Sequence, residues 1–518
     1  MALSDSLTVL SILVAVIALL SEENRKLFLL KFDWRHWVGI GGVVFLIHIV
    51  LGFNWVLGHI PVFSVFAING WPKPGTWAYL FTMGLLLYLF YKIAYSPFSP
   101  KKIEEVKALY RSLLLKNDGD KLVNAIQKYH LANVGDYLDQ LKAIEESYRP
   151  AGMERLTPEN TILRNHQIKE KRDSEIANLK SKPRTAYSAM VYQDIIQNHR
   201  FIEIATNTYP LVYVDIIKRL NTKSTADWRM VQTFYKSLLK NNHEQLGEEL
   251  RSLHSRDLGH QYHVTDDQPL LFAIVDDLNV TIHNAAWKAF GDAAIEELKT
   301  ELNRGSLLMM EPPLGQNEDI EIWNSATKKA IVYFDCIVRK AIVTQVKSNM
   351  HLYYCTDMLR ELTSPTLRYI HPGNNRARIL AKEIRDMFVN WCEISAVYRD
   401  SPLTDDILGK LIEAQIILSN NDRDHAEEHI SYVFRLLAEI TDESDPESLH
   451  PVIKKYIDIL GKRIQEIIAE QSVNNKPILN VISSVWYERD RSLFSAPRYQ
   501  PFLTCYDDEI IRNLPDSQ

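Results

Sequence analysis

Cysteine is scarce in this sequence, and its spacing does not match a metal site. Four cysteines occur, Cys336, Cys355, Cys392 and Cys505, and no two of them form a Cys-x-x-Cys pair. That number is too small for a disulfide framework, and the spacing is wrong for structural zinc. We therefore predict four reduced thiols in helix cores, which fits a reducing compartment.

The common catalytic and nucleotide-binding signatures are also missing. The chain has no Gly-x-x-x-x-Gly-Lys-[Ser/Thr] phosphate loop, no Gly-x-Gly-x-x-Gly after a strand-like run and no Gly-x-Ser-x-Gly elbow. Strand-like runs are few and do not alternate with helical patterns, which argues against a doubly wound α/β enzyme. The sequence predicts no cofactor and no catalytic residue, and it favours a protein that is not an enzyme.

An excess of basic charge is missing as well. Lys and Arg number 59 against 65 Asp and Glu, for a formal net charge of −6 at pH 7. General nucleic-acid binding needs a basic face that displaces counterions, so we do not expect it here. A local basic patch that binds a nucleotide or another anionic ligand remains compatible with this balance.

Charged residues are nearly missing from three stretches in the first hundred residues. The stretches at about 6–21, 37–60 and 75–95 predict a three-helix transmembrane anchor over residues 1–97. Basic residues follow the first and the third stretch. The positive-inside rule therefore predicts a multi-pass membrane protein with its N-terminus outside and its C-terminal region in the cytoplasm, and the lipid bilayer as a partner.

Three polar residues lie near or within the second apolar stretch: His48, Asn54 and His59. Polar groups inside a bilayer are costly and are often kept for a function, which makes these residues candidates for a conducting or sensing site. The alternative is hydrogen bonding between the helices of the anchor or of its oligomer.

The rest of the chain has the spacing of amphipathic helices. Residues 98–182 form a predicted helical, solenoid-like segment with a charged helix, and residues 183–518 form one or more α-helical cytoplasmic domains. The fold class is therefore all-α, with helical hairpins following the anchor. A repeated Asn-x-Gly-Asp-x-Leu, at Asn117 and Asn133, predicts two helix ends with Asp as the next cap.

The stretch Asp424–His429 contains His-x-x-Glu-His, a spacing that can hold zinc on one helix face. The apolar stripe of this helix is centred near Ile430, which places His425 and Glu428 away from the core and His429 at its flank. We therefore interpret the motif as a coincidence on a solvated face.

A second group of histidines, His254, His260 and His263, is a weak candidate for a metal site. Its spacing matches no established ligand pattern, and a histidine-rich surface loop is the alternative. The sequence therefore predicts no metal site with confidence.

One segment has the features of an anion site. Pro372-Gly373 predicts a turn before a helix, and basic side chains in the first turns of a helix attract phosphate-like groups. A basic face paired with acidic residues elsewhere is the alternative. The candidate residues are Arg368, Asn374, Arg376, Arg378, Lys382 and Arg385.

These features favour a membrane-anchored cytoplasmic interaction or sensor module that acts with protein partners or as a homo-oligomer. One alternative is a membrane-permeabilising effector whose spans oligomerise when triggered, and another is a membrane-bound enzyme with an unrecognised phosphate- or metal-dependent site. The plan of short spans followed by a helical domain is similar, in architecture alone, to membrane-linked components of prokaryotic defence and stress systems.

Overall fold

All secondary structure in the described part of the chain is helical. The computed structural model describes 25–26, 29–59, 74–94, 102–116, 118–148, 158–220, 225–240, 244–255, 264–301, 308, 310–312, 320–347, 349–364, 375–398, 401–421, 426–427, 429–434, 436, 450–469, 476–485 and 500–514. Within these ranges there is no strand, which confirms the predicted all-α class.

The chain divides into two compact units, Met1–Phe201 and Ile202–Gln518. Lys182-Pro183, where the sequence predicts a domain boundary, lies inside the first unit between two consecutive helices. The helices of the first unit are α1 (Trp34–His59), α2 (Pro74–Ala94), α3 (Ile103–Leu115), α4 (Gly119–Tyr129), α5 (Leu131–Ser147), α6 (Pro158–Ser181), α7 (Pro183–Met190) and a π-helix (Val191–Ile196); α8 (His199–Thr208) spans the division.

The helices α1 and α2 pack against each other as an antiparallel pair. Phe32, just before α1, forms a buried cluster with Leu85 and Leu89 in the second half of α2, and Ile40 and Val43 of α1 pack against the same cluster. The inward side of the pair is therefore a small apolar core of its own.

No helix in the described ranges is long and apolar enough to cross a membrane.

This finding contradicts the predicted localisation. The prediction of a multi-pass membrane protein with an external N-terminus and a cytoplasmic C-terminal region is wrong, and the three-span anchor over residues 1–97 is unsupported. The predicted span at 6–21 lies outside the described residues. The alternative of a membrane-permeabilising effector depended on the same spans.

The repeated Asn-x-Gly-Asp-x-Leu does not mark two equivalent helix ends. In the first copy a helix does begin, but Gly119 is the first residue of α4 and Asp118 occupies the N-cap, so Asp120 lies in the first turn and is not the predicted cap. In the second copy, Gly135 and Asp136 lie inside α5. The prediction is therefore wrong for the second copy, because apolar side chains of α5 such as Val134 and Leu138 are buried and keep the chain helical through the glycine.

The second unit is built around one buried helix. Its helices are α9 (Pro210–Arg219), α10 (Thr225–Lys240), α11 (Glu244–Ser255), α12 (Pro269–Val275), α13 (Leu278–His283), α14 (Ala286–Glu301), a 3₁₀-helix (Ile320–Asn324), α15 (Ala326–Val343), α16 (Met350–Leu362), α17 (Arg376–Val397), α18 (Thr404–Asn421), α19 (Pro451–Ala469), α20 (Lys476–Val485), α21 (Gln500–Glu509) and a 3₁₀-helix (Ile511–Asn513). Of the 18 residues of α15, 16 are buried, since α10, α11, α14, α16 and α17 all pack around it.

Two short apolar runs, Pro210–Val214 and Pro269–Val275, are helical. They form α9 and α12, and each begins with a proline in its first turn, Pro210 and Pro269. Proline suits this position because its missing N–H would have no partner within the helix. Burial on several sides explains why these runs lack a polar face.

Candidate functional site

The exposed apolar side chains of one helix pair in the first unit are the most distinctive exposed feature of the described residues. Among the 23 large apolar side chains that are exposed in the described part of the chain, 13 belong to α1 and α2. We call these 13 side chains the apolar face. They are Trp34, Trp37, Val38, Phe45, Leu46 and Ile49 of α1, with Tyr79, Leu80, Met83, Leu87, Tyr88, Phe90 and Tyr91 of α2.

Helical spacing produces this face. Residues three, four and seven apart lie on the same side of a helix, so Trp34, Val38 and Phe45 share one side of α1. The buried Ile47 and the partly buried Ile40 lie on the opposite side, against α2. The pair is thus apolar on both sides, unlike a typical amphipathic surface helix.

The apolar face contains no charged side chain along most of its length. The only Lys or Arg residues of α1 and α2 are Arg35 and Lys92, and neither helix contains Asp or Glu. Because the helices are antiparallel, the start of α1 and the end of α2 lie at the same end of the pair. Both basic residues are therefore confined to that end.

The polar residues predicted within the second apolar stretch have no support as an intramembrane site, because no membrane-spanning helix is found in the described residues. His48 is exposed, and its Nδ1 lies 2.8 Å from the carbonyl oxygen of Val44 within α1. The side chains of Asn54 and His59 lie outside the described residues. For His48, a local contact with its own helix satisfies one ring nitrogen.

A second candidate is a polar cluster at the start of α15 in the second unit. Lys328 donates a hydrogen bond of 2.5 Å from Nζ to Oε1 of Glu383 on α17, and its ammonium also lies 4.9 Å from the Trp323 ring centroid. His254, at the end of α11, approaches the same carboxylate at 4.0 Å and contacts the Trp323 ring edge-on. Glu383 therefore joins two basic side chains from different helices.

Glu297 of α14 fixes the first turn of α15. Its carboxylate accepts hydrogen bonds from the backbone N–H groups of Ala326 and Thr327, at 2.9 and 2.8 Å, and from the hydroxyl groups of Ser325 and Thr327. A carboxylate at a helix N-terminus satisfies unpaired donors and interacts favourably with the helix dipole. This contact holds the backbone on which Lys328 and Lys329 are placed.

Lys329 differs from its neighbour Lys328. It is 2% exposed, and no hydrogen bond or ion pair within 4.0 Å to a described residue is observed for its ammonium. Its side chain passes Gly247 of α11, where an added Cβ would lie 3.4 Å from Cε. Burial lowers the pKa of Lys329, and the charge of Glu297 opposes this shift. The cluster thus holds two buried lysines, one with an ion-pair partner and one with none among the described residues.

The predicted anion-site residues do not form one exposed patch. Arg376 is buried and binds Glu321 at 2.7 Å, and Arg385 is buried and binds Asp386 at 2.9 Å. Asn375 caps α17, with its side chain accepting a hydrogen bond from the Arg378 backbone N–H.

Among the basic residues of this helix, Arg378 is half-buried and Lys382 is exposed, one turn apart. Arg376 lies on a different side of α17, since two residues rotate a helix by about 200°. Arg368 and Asn374 lie outside the described residues. Anion binding by these residues stays a prediction.

The histidine group is only partly described. His254 belongs to the polar cluster, whereas His260 and His263 lie outside the described residues. Within the described ranges, no group of three His, Cys, Asp or Glu side chains is arranged to hold a metal ion.

The His-x-x-Glu-His stretch contains a finding that the sequence pattern missed. His429 is completely buried, and neither ring nitrogen has a hydrogen-bond partner among the described residues. The prediction of a solvated face is therefore wrong for His429. Burial lowers its pKa to about 3, and the nearby charge of Arg385 adds to this effect. The side chains of His425 and Glu428 lie outside the described residues.

Comparison with known proteins does not provide a function. No family model, no curated protein and no solved structure matches this chain.

Proposed function

We propose that this chain is a helical interaction protein that binds a protein partner through the apolar face of α1 and α2. The observation that carries the proposal is the concentration of exposed aromatic and aliphatic side chains on one helix pair whose only Lys or Arg residues are Arg35 and Lys92. Large apolar patches of this kind mark sites where a protein is covered by another molecule. Depletion of charge and enrichment in Trp, Tyr, Phe and Met are typical of the centre of protein interfaces.

The energetic cost of leaving this face in water supports the proposal. The exposed fractions of its 13 side chains correspond to on the order of 1,000 Å² of apolar surface, at about 150–250 Å² for each large side chain. At about 25 cal/mol per Å², covering that surface would contribute roughly 25 kcal/mol before the costs of association. The costs of association offset a large part of this contribution, so the area indicates a tendency of these side chains to be covered and does not give an affinity.

Charge substitutions on the apolar face test the proposal. Phe45 and Leu87 are 66% and 63% exposed, so Phe45→Glu and Leu87→Glu place a charge on the face without entering the core. Leu115→Glu is the matched control, because Leu115 is a single exposed leucine, 74% exposed, at the end of α3.

The readout is native mass spectrometry of the gently purified chain, with thermal unfolding as a check on the fold. We expect protein complexes with the parent chain and with Leu115→Glu, and their loss with either substitution on the face. Complexes that survive both face substitutions, or a parent chain that carries no protein partner, would refute the proposal.

A further inference from the structure

Three lysines from different segments of the first unit converge at one end of the α1–α2 helix pair. Lys31 lies just before α1, Lys92 is in the last turn of α2, and Lys128 is in the last turn of α4. We infer that these three lysines form a binding site for an anion of the phosphate class. The inference does not rest on the proposed function, because none of the three belongs to the exposed apolar side chains of that proposal.

One tyrosine ring brings two of the ammonium groups together. The Nζ atom of Lys31 lies 4.3 Å from the centroid of the Tyr129 ring, and the Nζ atom of Lys128 lies 5.2 Å from the same centroid. Each contact is a cation–π attraction that holds the ammonium group over the ring. A tyrosine ring carries no net charge, so two like charges share it without being neutralised.

Packing between α1 and α2 brings the third lysine to the same end. Phe32, the residue after Lys31, belongs to a buried cluster with Leu89 of α2. Lys92 follows Leu89 by three residues and therefore lies on the same side of α2, one turn nearer the end of the helix. The cluster thus holds the segments that carry Lys31 and Lys92 beside each other.

The three positive charges lack compensation. No ion pair with a described carboxylate is observed for Lys92 or Lys128. Burial lowers the pKa of Lys31 to about 8, the charges of Lys128 and Lys92 add to this shift, and no described carboxylate is among its causes. The charges of the three lysines therefore repel one another. An anion bound between them would remove this repulsion.

A buried aromatic cluster holds the end of α4 in place. His130 follows Tyr129; its Nε2 atom lies 2.5 Å from the hydroxyl oxygen of Tyr110, and its ring centroid lies 5.1 Å from that of Tyr187. Burial, together with the charge of Lys31, lowers the pKa of His130 to about 3, so this ring is neutral at pH 7. His130 therefore fixes the end of the helix without adding to the positive charge.

Exposure and charge favour a phosphate group as the ligand. Lys128 is exposed and Lys92 is half-buried, so a small anion reaches both ammonium groups from the solvent. Lys31 is 3% exposed, and water therefore screens its charge less. A phosphate group carries about two negative charges at pH 7 and several acceptor oxygens, which match a group of lysines better than a single carboxylate does.

Titration calorimetry of the full chain with sodium pyrophosphate, at an ionic strength held constant with sodium chloride, tests the site. We expect the parent to bind one pyrophosphate per chain in a saturable manner. Lys92→Gln and Lys128→Gln should each weaken binding about tenfold or more, because each removes one charge-assisted contact. Lys121→Gln is the matched control and should bind like the parent, since Lys121 is an exposed lysine of the same helix α4 that pairs with Asp118.

Two results would overturn the inference. One is a parent chain that binds no pyrophosphate. The other is equal weakening by Lys121→Gln and Lys128→Gln, which would indicate a general effect of net charge. Thermal unfolding of each variant checks the fold, and the buried Lys31 is left unchanged so that the core is not disturbed.

Vesicle sedimentation identifies the source of the phosphate group. Phosphatidylcholine vesicles that contain phosphatidic acid are mixed with the parent and with Lys128→Gln. Sedimentation of the parent that pyrophosphate prevents and that Lys128→Gln abolishes would assign the site to the phosphate of a lipid head group. Pyrophosphate binding without sedimentation would assign it to a soluble phosphate compound.

Discussion

Lys328 of α15 and Glu383 of α17 form an ion pair of 2.5 Å that links two core helices across 55 residues of sequence. Both side chains are largely buried, so the pair is screened less than a surface pair. Its neighbour Lys329 has no such partner in the described ranges and is equally buried. Of these two adjacent lysines of α15, one therefore has a counter-charge at ion-pair distance and the other has none among the described residues.

This difference predicts opposite effects of the same substitution. Lys328→Met leaves the Glu383 carboxylate without its closest counter-charge, and we expect a loss of about 1–3 kcal/mol of unfolding free energy. Lys329→Met removes a buried charge that lacks an ion pair, and we expect a gain of about 1 kcal/mol or more. Chemical denaturation of the two variants at pH 7 measures both values, and each variant is the control for the other.

The pH dependence of the Lys329→Met effect follows from linkage. The folded state holds the Lys329 proton less tightly than the unfolded state, whose lysine has a pKa near 10.5. Between the two pKa values the unfolded state binds more protons, so the parent becomes more stable as pH rises. The gain in unfolding free energy from Lys329→Met should therefore shrink as the pH rises toward 10.5. An advantage that is constant from pH 7 to pH 10 would contradict the buried-charge explanation.

Buried histidines predict a loss of stability in acid. Burial lowers the pKa of His351 and of His429 to about 3, far below the ordinary 6.5. Below pH 6.5 the unfolded state takes up protons that the folded state does not, so unfolding becomes easier as pH falls toward 3. Each histidine contributes a slope of up to about 1.4 kcal/mol per pH unit in that window.

The substitution His429→Leu tests this explanation. It should reduce the slope of unfolding free energy against pH between pH 6 and pH 4 by about 1.4 kcal/mol per unit. His283→Leu is the control, since His283 belongs to the same unit and is exposed. Equal slopes for the parent and for His429→Leu, measured by urea unfolding, would show that His429 is not buried as a neutral group.

The buried carboxylate of Glu249 lies at the start of the short helix α12, and we predict that this helix depends on it for stability. Glu249 accepts hydrogen bonds from the backbone N–H groups of Leu270 at 3.2 Å and Leu271 at 2.6 Å. Lys340 donates to the carbonyl oxygens of Val275 and Asp276 at the other end of α12. A seven-residue helix is marginal by itself, so these contacts hold it in place.

Removing the Glu249 carboxylate should lower the unfolding free energy. Glu249→Ala leaves two buried N–H groups without an acceptor, and we expect a loss of about 2–4 kcal/mol of unfolding free energy. Glu248→Ala is the matched control, since this neighbour is exposed. Hydrogen exchange at Leu270 and Leu271 should accelerate only in Glu249→Ala. Unchanged exchange at both amides would contradict the proposed role in capping.

A close approach of α14 and α16 predicts that one glycine cannot be replaced. A Cβ at Gly291 would overlap the ring of Tyr354, whose hydroxyl donates a hydrogen bond of 2.6 Å to Asp292. Gly291→Ala should therefore destabilise the second unit by about 1–3 kcal/mol through overpacking. Gly409→Ala is the control of opposite sign, because Gly409 lies in α18 with open space around it.

In the Gly409→Ala control, alanine improves helix propensity without a clash, and the expected gain in unfolding free energy is up to about 1 kcal/mol. Thermal unfolding compares the two variants directly. A stabilised Gly291→Ala would show that the two helices are farther apart than the structure has them.

The residues that carry local signals were predicted correctly. Helical periodicity identifies the all-α class, which the helices of the described residues confirm. A helix, α17, follows Pro372-Gly373 as predicted, with Asn375 as its cap. Each of these features depends on a few neighbouring residues, and the backbone there follows local propensity.

The candidate sites depend on contacts that the sequence does not encode locally. Glu383, Glu297 and Trp323 were missed because no spacing relates them to Lys328, although two lysines inside the apolar pattern of α15 were a signal. His429 was misplaced because a helical wheel assumes one buried side. In this unit, neighbouring helices also cover the flank.

The sequence by itself determined that the chain is helical, where several helices begin and that α1 and α2 are apolar with only one basic residue each. Only the tertiary structure decided which lysine is paired, which arginines are buried and that no described helix spans a membrane. The physical reason is range, since propensity and capping act over one or two turns, whereas burial and ion pairing depend on helices distant in sequence.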